Sequence, residues 1–160
     1  MALDRTNMVS LFDIGRWLGG SEEKWIELGN GYSELTEEWG PEFTDTKYVN
    51  MKTSASSVNG YAFSMTPERE YLSDELQTAI DEAFKSFPTG SDAETYYARF
   101  YKTDVKASTV TGIKLPVVCA PSSTGGSAGE ALVSSIEIHG NGDVSAATIT
   151  IGEDGTYTVA

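Results

Sequence analysis

Apolar and polar residues alternate with the two-residue period of a β-strand over much of this chain. Such runs predict strands at residues 25–28, 32–39, 42–50, 61–65 and 96–101. The apolar run 113–120 contains Pro116, which indicates an edge strand or a bulge. Residues 132–139 and 144–151 predict two strands joined by a hairpin turn at the sequence GNGD, and GEDG at 152–155 predicts another turn. The polar segment 51–57 and the Ser/Gly-rich segment 122–129 are expected to be loops.

One segment has the periodicity of a helix, at about residues 73–87. Ser73 is a suitable N-cap, and Asp74 and Glu75 suit the positive end of the helix dipole. Pro88 and Gly90 end the pattern. The apolar stripe along one face consists of Leu76, Ile80, Ala83, Phe84 and Phe87. The sum predicts a mainly β fold, an antiparallel β-sandwich or partly closed barrel with one flanking α-helix.

The predicted strand at 42–50 has an unusual pattern, because neither of its faces is apolar. Phe43 and Val49 share one face with Asp45 and Lys47, and the other face carries acid, hydroxyl and aromatic groups. A strand with one face in a hydrophobic core does not need such a mixture. The pattern therefore requires an explanation other than ordinary core packing.

The 160 residues fit one domain, which we place at residues 21–160, preceded by an N-terminal arm at 1–20. The arm ends in Gly19-Gly20, and we expect a short helical turn in it rather than a core element. It lacks the basic and apolar segments of a secretory signal, and no stretch of the chain reaches the ~20 apolar residues of a membrane span. We expect a protein made in the cytoplasm.

The formal net charge of -13 limits the partners that this chain can bind. Such a charge repels nucleic acid and anionic membranes, so a stable DNA-binding surface is not expected. The single cysteine, Cys119, lies in an apolar run and is expected to be a small buried residue; it excludes an intrachain disulfide.

Residues for catalysis, cofactors or metals do not form a convincing pattern. The one histidine, His139, lies at a predicted strand end, and neither a nucleophile elbow nor a phosphate loop is present. Adjacent carboxylates could in principle form a glycosidase pair, but pairs such as Glu22-Glu23 arise by composition in so acidic a chain. We predict no enzyme activity, no cofactor and no metal site.

Three tryptophans lie in the first quarter of the chain, at Trp17, Trp25 and Trp39. Exposed aromatic rings bind sugars and partner subunits, whereas buried rings are ordinary core. An adhesin-like or carbohydrate-binding β-sandwich of a tail tip or cell surface therefore remains an alternative function.

Two stretches carry a resemblance to a known family. Residues 27–65 contain an acidic ELTEE strand, KYVNMK, a Ser/Thr-rich loop and VNGYAFSM, and residues 129–143 read GEALVSSIEIHGNGD. In order and spacing this resembles the major tail proteins of long-tailed phages, which are the tail-tube subunits, and the non-contractile kind most closely. The resemblance covers most of residues 25–151.

The resemblance implies a β-sandwich or barrel subunit with a flanking helix. Six copies would close a ring by pairing sheet edges, and rings would stack into a hollow tube that conducts genomic DNA from capsid to host cell. Its implied partners are further copies of itself, a tape measure protein, and tail terminator and tip proteins. DNA would pass without stable binding, no membrane would be involved, and the location would be the virion tail.

Within that interpretation the mixed strand at 42–50 faces the water-filled channel on one side and protein on the other. The candidate acids of the channel wall are Glu34, Glu37, Glu42 and Asp45. The candidate loop that contacts the next ring contains Lys47, Asn50, Lys52, Thr53, Ser54, Ser56 and Ser57. Trp17 is a candidate inter-subunit contact of the arm. Lys47 and Lys52 are basic within this acidic segment and are expected to pair with acids of a neighbouring subunit.

Overall fold

The computed structural model describes residues 2–160 and is mainly β, as predicted. The first six strands are β1 (Met8–Asp13), β2 (Trp25–Glu27), β3 (Glu42–Thr46), β4 (Ala55–Gly60), β5 (Ser64–Met65) and β6 (Glu68–Glu70). Helix α1 (Glu75–Ser86) follows. The remaining strands are β7 (Glu94–Tyr101), β8 (Thr109–Gly125), β9 (Val133–Gly140), β10 (Ser145–Ile151) and β11 (Tyr157–Val159). Short 3₁₀ turns occupy Arg5–Asn7, Trp17–Gly19, Gly90–Ala93 and Lys102–Asp104.

Six of these strands close into a barrel. The antiparallel pairings run β8-β10-β11-β2-β1-β7, and β7 pairs again with β8. Gly112 allows the backbones to approach at this closure, because a Cβ there would lie 2.3 Å from the carbonyl oxygen of Arg99. The predicted partly closed barrel is confirmed.

Strand β8 is 17 residues long and extends beyond the barrel. Its second half pairs with β9, which in turn pairs with the short strands β5 and β6. Lys114 of β8 pairs with both β7 and β10, and Val118 pairs with both β7 and β9. Strands β9 and β10 therefore follow one another along the same side of β8.

This arrangement corrects the predicted hairpin at GNGD. Strands β9 and β10 do not pair with each other, and residues 141–144 are instead an interruption between two strands that share one partner. The amide of Asn141 donates to the carbonyl of Pro116, which keeps the interruption against β8. The turn predicted at 152–155 is confirmed, and it joins β10 to β11.

The N-terminal segment is not a free arm, which corrects a second prediction. Strand β1 lies between β2 and β7, and Val9, Leu11 and Phe12 are buried. The apolar residues in Met8–Asp13 sit on both faces of the sheet, so the alternation that marks a strand with one solvent face is lost. Residues 32–39 are likewise not the predicted strand; they contribute one isolated bridge, between Glu38 and Ser64.

Two apolar clusters lie on opposite faces of β7 and β8. The cluster inside the barrel consists of Val9, Leu11, Trp25, Ala98, Phe100, Val110, Ala147, Ile149 and Val159. The outer cluster lies under α1 and includes Phe12, Trp17, Leu76, Ile80, Tyr97 and Ile138. Because both clusters contain side chains from β1 and β7, these strands form a wall common to both.

Helix α1 begins one residue later than predicted, with Asp74 and not Ser73 as its N-cap. The Asp74 carboxylate accepts from the amide of Gln77 and pairs with Arg69 at 2.8 Å. Leu76, Ile80 and Ala83 are buried as predicted, whereas Phe87 is the exposed C-cap. The Arg69 side chain is fully buried, so Asp74 also supplies the counter-charge of an ion that water cannot reach.

Removing the Asp74 carboxylate should destabilise the fold in a pH-dependent way. Partial burial raises the pKa of Asp74. The contacts with Arg69 and the Gln77 amide together lower it by more, so the pKa of Asp74 is below its ordinary value. The pairing therefore stabilises the fold above the ordinary carboxyl pKa and is lost as the pH falls below about 4. We expect Asp74→Ala to lose about 2–3 kcal/mol at pH 7.

The Asp74→Asn variant is the matched control, because it keeps the capping oxygen without the charge. It should recover about 1 kcal/mol of the loss in urea denaturation. Its stability should also fall less than that of the wild type when the pH is lowered below about 4, because the side chain at position 74 in this variant carries no charge to lose. Equal stability of wild type and both variants at pH 7 would contradict this role.

Candidate functional site

The hairpin of β3 and β4 stands apart from the rest of the molecule. It forms its own two-stranded sheet, and every residue of β3 is exposed. Strand β4 is exposed up to Gly60, which is half-buried. An isolated pair of strands is at best marginally stable in water, so the hairpin has no internal core to hold it.

Large apolar side chains are exposed along this hairpin and at its base. Phe43 and Val58 are cross-strand neighbours and are 62% and 49% exposed. At the other end Tyr48 and Val49 are 66% and 109% exposed, and Tyr61 follows the base at 67%. Apolar groups concentrated on one projecting element indicate a surface that another molecule covers.

The hairpin contains two sets of predicted functional residues. Glu42 and Asp45, two of the predicted channel acids, lie in β3. Lys47, Asn50, Lys52, Thr53 and Ser54 lie in the connection at its end, and Ser56 and Ser57 lie in β4. Asp45 accepts a hydrogen bond from Ser56, and Asn59 donates to Thr44. The structure thus places the two sets on one element, although 55–57 is strand and not loop.

Glu34 and Glu37 belong to the irregular segment that leads into the hairpin, and they differ in burial. Glu34 is exposed, whereas the side chain of Glu37 is 6% exposed. Glu37 Oε2 lies 3.1 Å from Arg99 Nε and accepts from Tyr97, and Glu37 Oε1 accepts from Trp39 Nε1 at 3.2 Å. The prediction that Glu37 lines a channel is therefore corrected: it is an internal ion-pair partner.

The same contacts explain why the hairpin has a fixed root. Glu37 attaches the segment to the outer face of β7, and Glu38 exchanges two backbone hydrogen bonds with Ser64. Burial, and next the nearby Glu37 carboxylate, raise the pKa of Tyr97 well above its ordinary value, so this phenol keeps its proton at neutral pH and donates a hydrogen bond to Glu37. The cross-links fix the position from which β3 leaves the body.

The prediction for Trp17 is also corrected, because this side chain cannot make the predicted inter-subunit contact. It is 2% exposed, packs edge-on against Phe12, and donates from Nε1 to the carbonyl oxygen of Cys119 at 3.0 Å. Its ring belongs to the outer cluster, which explains an aromatic residue in a Gly-rich turn. Trp25 is buried in the barrel, and Trp39 packs on Phe63.

Two further kinds of site, metal centres and membrane-spanning helices, are not found among residues 2–160. No group of three or more His, Cys, Asp or Glu side chains within that range has the geometry to hold a metal ion. Nor does any helix there combine the length and apolarity of a membrane span. Cys119 is buried, and burial raises the pKa of its thiol well above the ordinary value.

Comparisons with known proteins identify the fold. No protein-family model matches the sequence, and no curated protein matches it. A chain in the virion of a native gene transfer agent particle is similar in structure, with a TM-score of 0.61 and 9% identity over 91% of this chain and 98% of that one. These numbers establish a shared fold without detectable sequence relationship.

Two other similar structures come from injection particles. A chain in the sheath/tube terminator of PVC, an extracellular contractile injection system, has a TM-score of 0.54 and 7% identity over 91% of this chain and 96% of that one. A chain in the tube-terminating cap of the anti-feeding prophage has a TM-score of 0.54 and 8% identity, with 91% of each chain covered. The chain therefore has a fold found in virion and injection-particle components.

Replacing Glu37 should destabilise the protein far more than replacing its exposed neighbour. Glu37→Ala leaves Arg99 and the Tyr97 hydroxyl without their partner, and we expect a loss of about 3 kcal/mol. Glu34→Ala, on the same segment, should change stability by less than about 0.5 kcal/mol. Urea denaturation of both variants measures this difference, and equal midpoints would exclude the proposed internal role of Glu37.

Proposed function

We propose that this chain is a structural subunit of a phage tail tube. Six copies form a ring, and rings stack into a hollow tube that conducts genomic DNA from the capsid to the host cell. The shared fold with components of virions and injection particles supports a structural role in a tail. The sequence resemblance to tail-tube subunits supports the tube, and the non-contractile kind of tail.

The observation that carries the proposal is the exposed hairpin of β3 and β4. Its large apolar side chains are exposed and belong to neither of the two apolar clusters. Both outer edges of this two-stranded sheet are also free to pair. Such a surface is unfavourable in water, and repeated copies of the chain cover it when the subunits are joined head to tail.

The distribution of charge agrees with a conduit for DNA. Glu34, Glu42 and Asp45 remain exposed and are proposed to line the channel. A net charge of -13 repels phosphate, so DNA slides past without being retained. Further proposed partners are a tape measure protein and the terminator and tip proteins that close the tube, in a virion tail assembled in the host cytoplasm without a membrane.

The carbohydrate-binding alternative receives no support from the tryptophans. Sugar platforms need exposed rings, but Trp17 and Trp25 are buried and Trp39 is held by Glu37 and Phe63. No structural observation in the described chain favours that function, and none assigns a reaction.

Shortening the hairpin should prevent stacking without unfolding the subunit. Thr46 and Ala55 are the last paired residues, so replacing 47–54 by Asn-Gly creates a two-residue turn that preserves β3 and β4. We expect wild type to form rings and tubes in negative-stain microscopy at high concentration. The shortened variant should keep the circular dichroism spectrum of the wild type and form no tubes; tubes of normal length would contradict the assignment.

A further inference from the structure

The end of the hairpin has the properties of an inserting element. We define the hairpin tip as residues 47–52. It presents Tyr48 and the fully exposed Val49, with Lys47 and Lys52 on either side. The amide of Met51 donates to the carbonyl of Tyr48, which closes the tip into a tight turn. The tip is thus a small apolar surface between two positive charges.

A groove of about 460 Å³ lies at the other end of the same hairpin, and we call it the root groove. It separates β4 from the interruption between β9 and β10. Its apolar walls are Trp39, Tyr61, Phe63, Leu115 and Val144. Tyr61 and Val144 are 67% and 41% exposed, so an apolar occupant would remove surface from water on both sides of the groove.

We propose that the hairpin tip of one subunit inserts into the root groove of another copy of the same chain. This inference rests on the proposed function, and it specifies which surface receives the hairpin. Strand pairing from Glu42 to Thr46 places about 13 Å of paired strand between the root and the tip, at ~3.3 Å per residue. A tip therefore cannot reach the groove of its own chain.

A contact between two different surfaces of one protein repeats from copy to copy. Such a head-to-tail contact closes into a ring or continues into a filament. A two-fold dimer would instead require the two tips to enter each other's grooves reciprocally, and the formation of rings or tubes in the test below separates that dimer from the repeating contact. The separation of tip and groove at opposite ends of one hairpin thus matches a stacked assembly.

The charges of the two surfaces are complementary. Asp143 lines the groove, and Glu137 lies at its border, where it pairs with His139 at 3.2 Å. None of the groove-lining residues is Lys or Arg. Lys47 and Lys52 would therefore meet carboxylates when Val49 enters the groove. The groove contact therefore explains why the acidic hairpin carries two lysines at its tip, which ring stacking alone does not explain.

Gly60 keeps the groove open. It lines the groove, and a Cβ built there meets no atom within 4 Å. Its φ is not in the left-handed region, so the backbone tolerates other residues. The absence of a side chain at this position is therefore not required by the fold, and filling the space provides a test that leaves the subunit intact.

The test compares assembly of variants that alter the tip or the groove. Val49→Ser removes the inserted side chain, and Gly60→Trp fills the groove, whereas Gly60→Ser leaves it open. We expect the first two to need at least about tenfold more protein for tube formation, measured by pelleting and negative-stain microscopy. Gly60→Ser should assemble like wild type, and so should Leu3→Ser, which removes another exposed apolar side chain away from the tip and the groove.

Charge exchange and cross-linking test the pairing itself. Asp143→Lys should weaken assembly, and combining it with Lys47→Glu and Lys52→Glu should restore it. A photo-crosslinking amino acid at position 49 should attach to residues 60–63 or 139–144 of another copy. Attachment elsewhere, or normal assembly of Val49→Ser and Gly60→Trp, would overturn the groove assignment while the tube function stands. A wild type that forms neither rings nor tubes would overturn both.

Discussion

Strand β8 is the element on which the rest of the structure depends. Its pairing with β10 and β7 closes the barrel, and its extension beyond the barrel supports β9 and, through β9, the strands beside the helix. A strand of 17 residues can do this because its middle residues have partners on both sides. The root of the hairpin depends on the same strand, since Leu115 of β8 and the interruption held against Pro116 form one wall of the root groove.

Most elements could be predicted from local pattern, and the errors have a common physical cause. Strand β7, helix α1 and the turn after β10 have alternating residues, an apolar stripe or a turn sequence that depends on nothing distant. Strand β1 was missed because both of its faces are buried, which removes the alternation. The pairing of β10 with β8, rather than with β9, is decided by partners such as Lys114 for Ser145, 31 residues away in sequence. The turn-like sequence between β9 and β10 does not indicate which strand each of them pairs with.

The candidate site was predictable in composition but not in geometry. Mixed faces at 42–50 marked a strand outside any core, and the structure confirms that β3 is exposed. Burial could not be assigned residue by residue: Glu37 and Trp17 carry the same types of side chain as Glu34 and Trp39, and only tertiary contacts distinguish them. The root groove was not detected, because its walls come from four separate parts of the chain and share no motif.

The wall that the two apolar clusters share has a consequence for how the subunit melts. Loosening β1 or β7 would expose side chains of both clusters at once. The barrel and the layer that contains α1 therefore unfold together, as one cooperative unit. Residues 42–60 contribute to neither cluster and can open without disturbing it. The chain alone is therefore a rigid body with a locally labile extension, which is the segment where a protease would cut first.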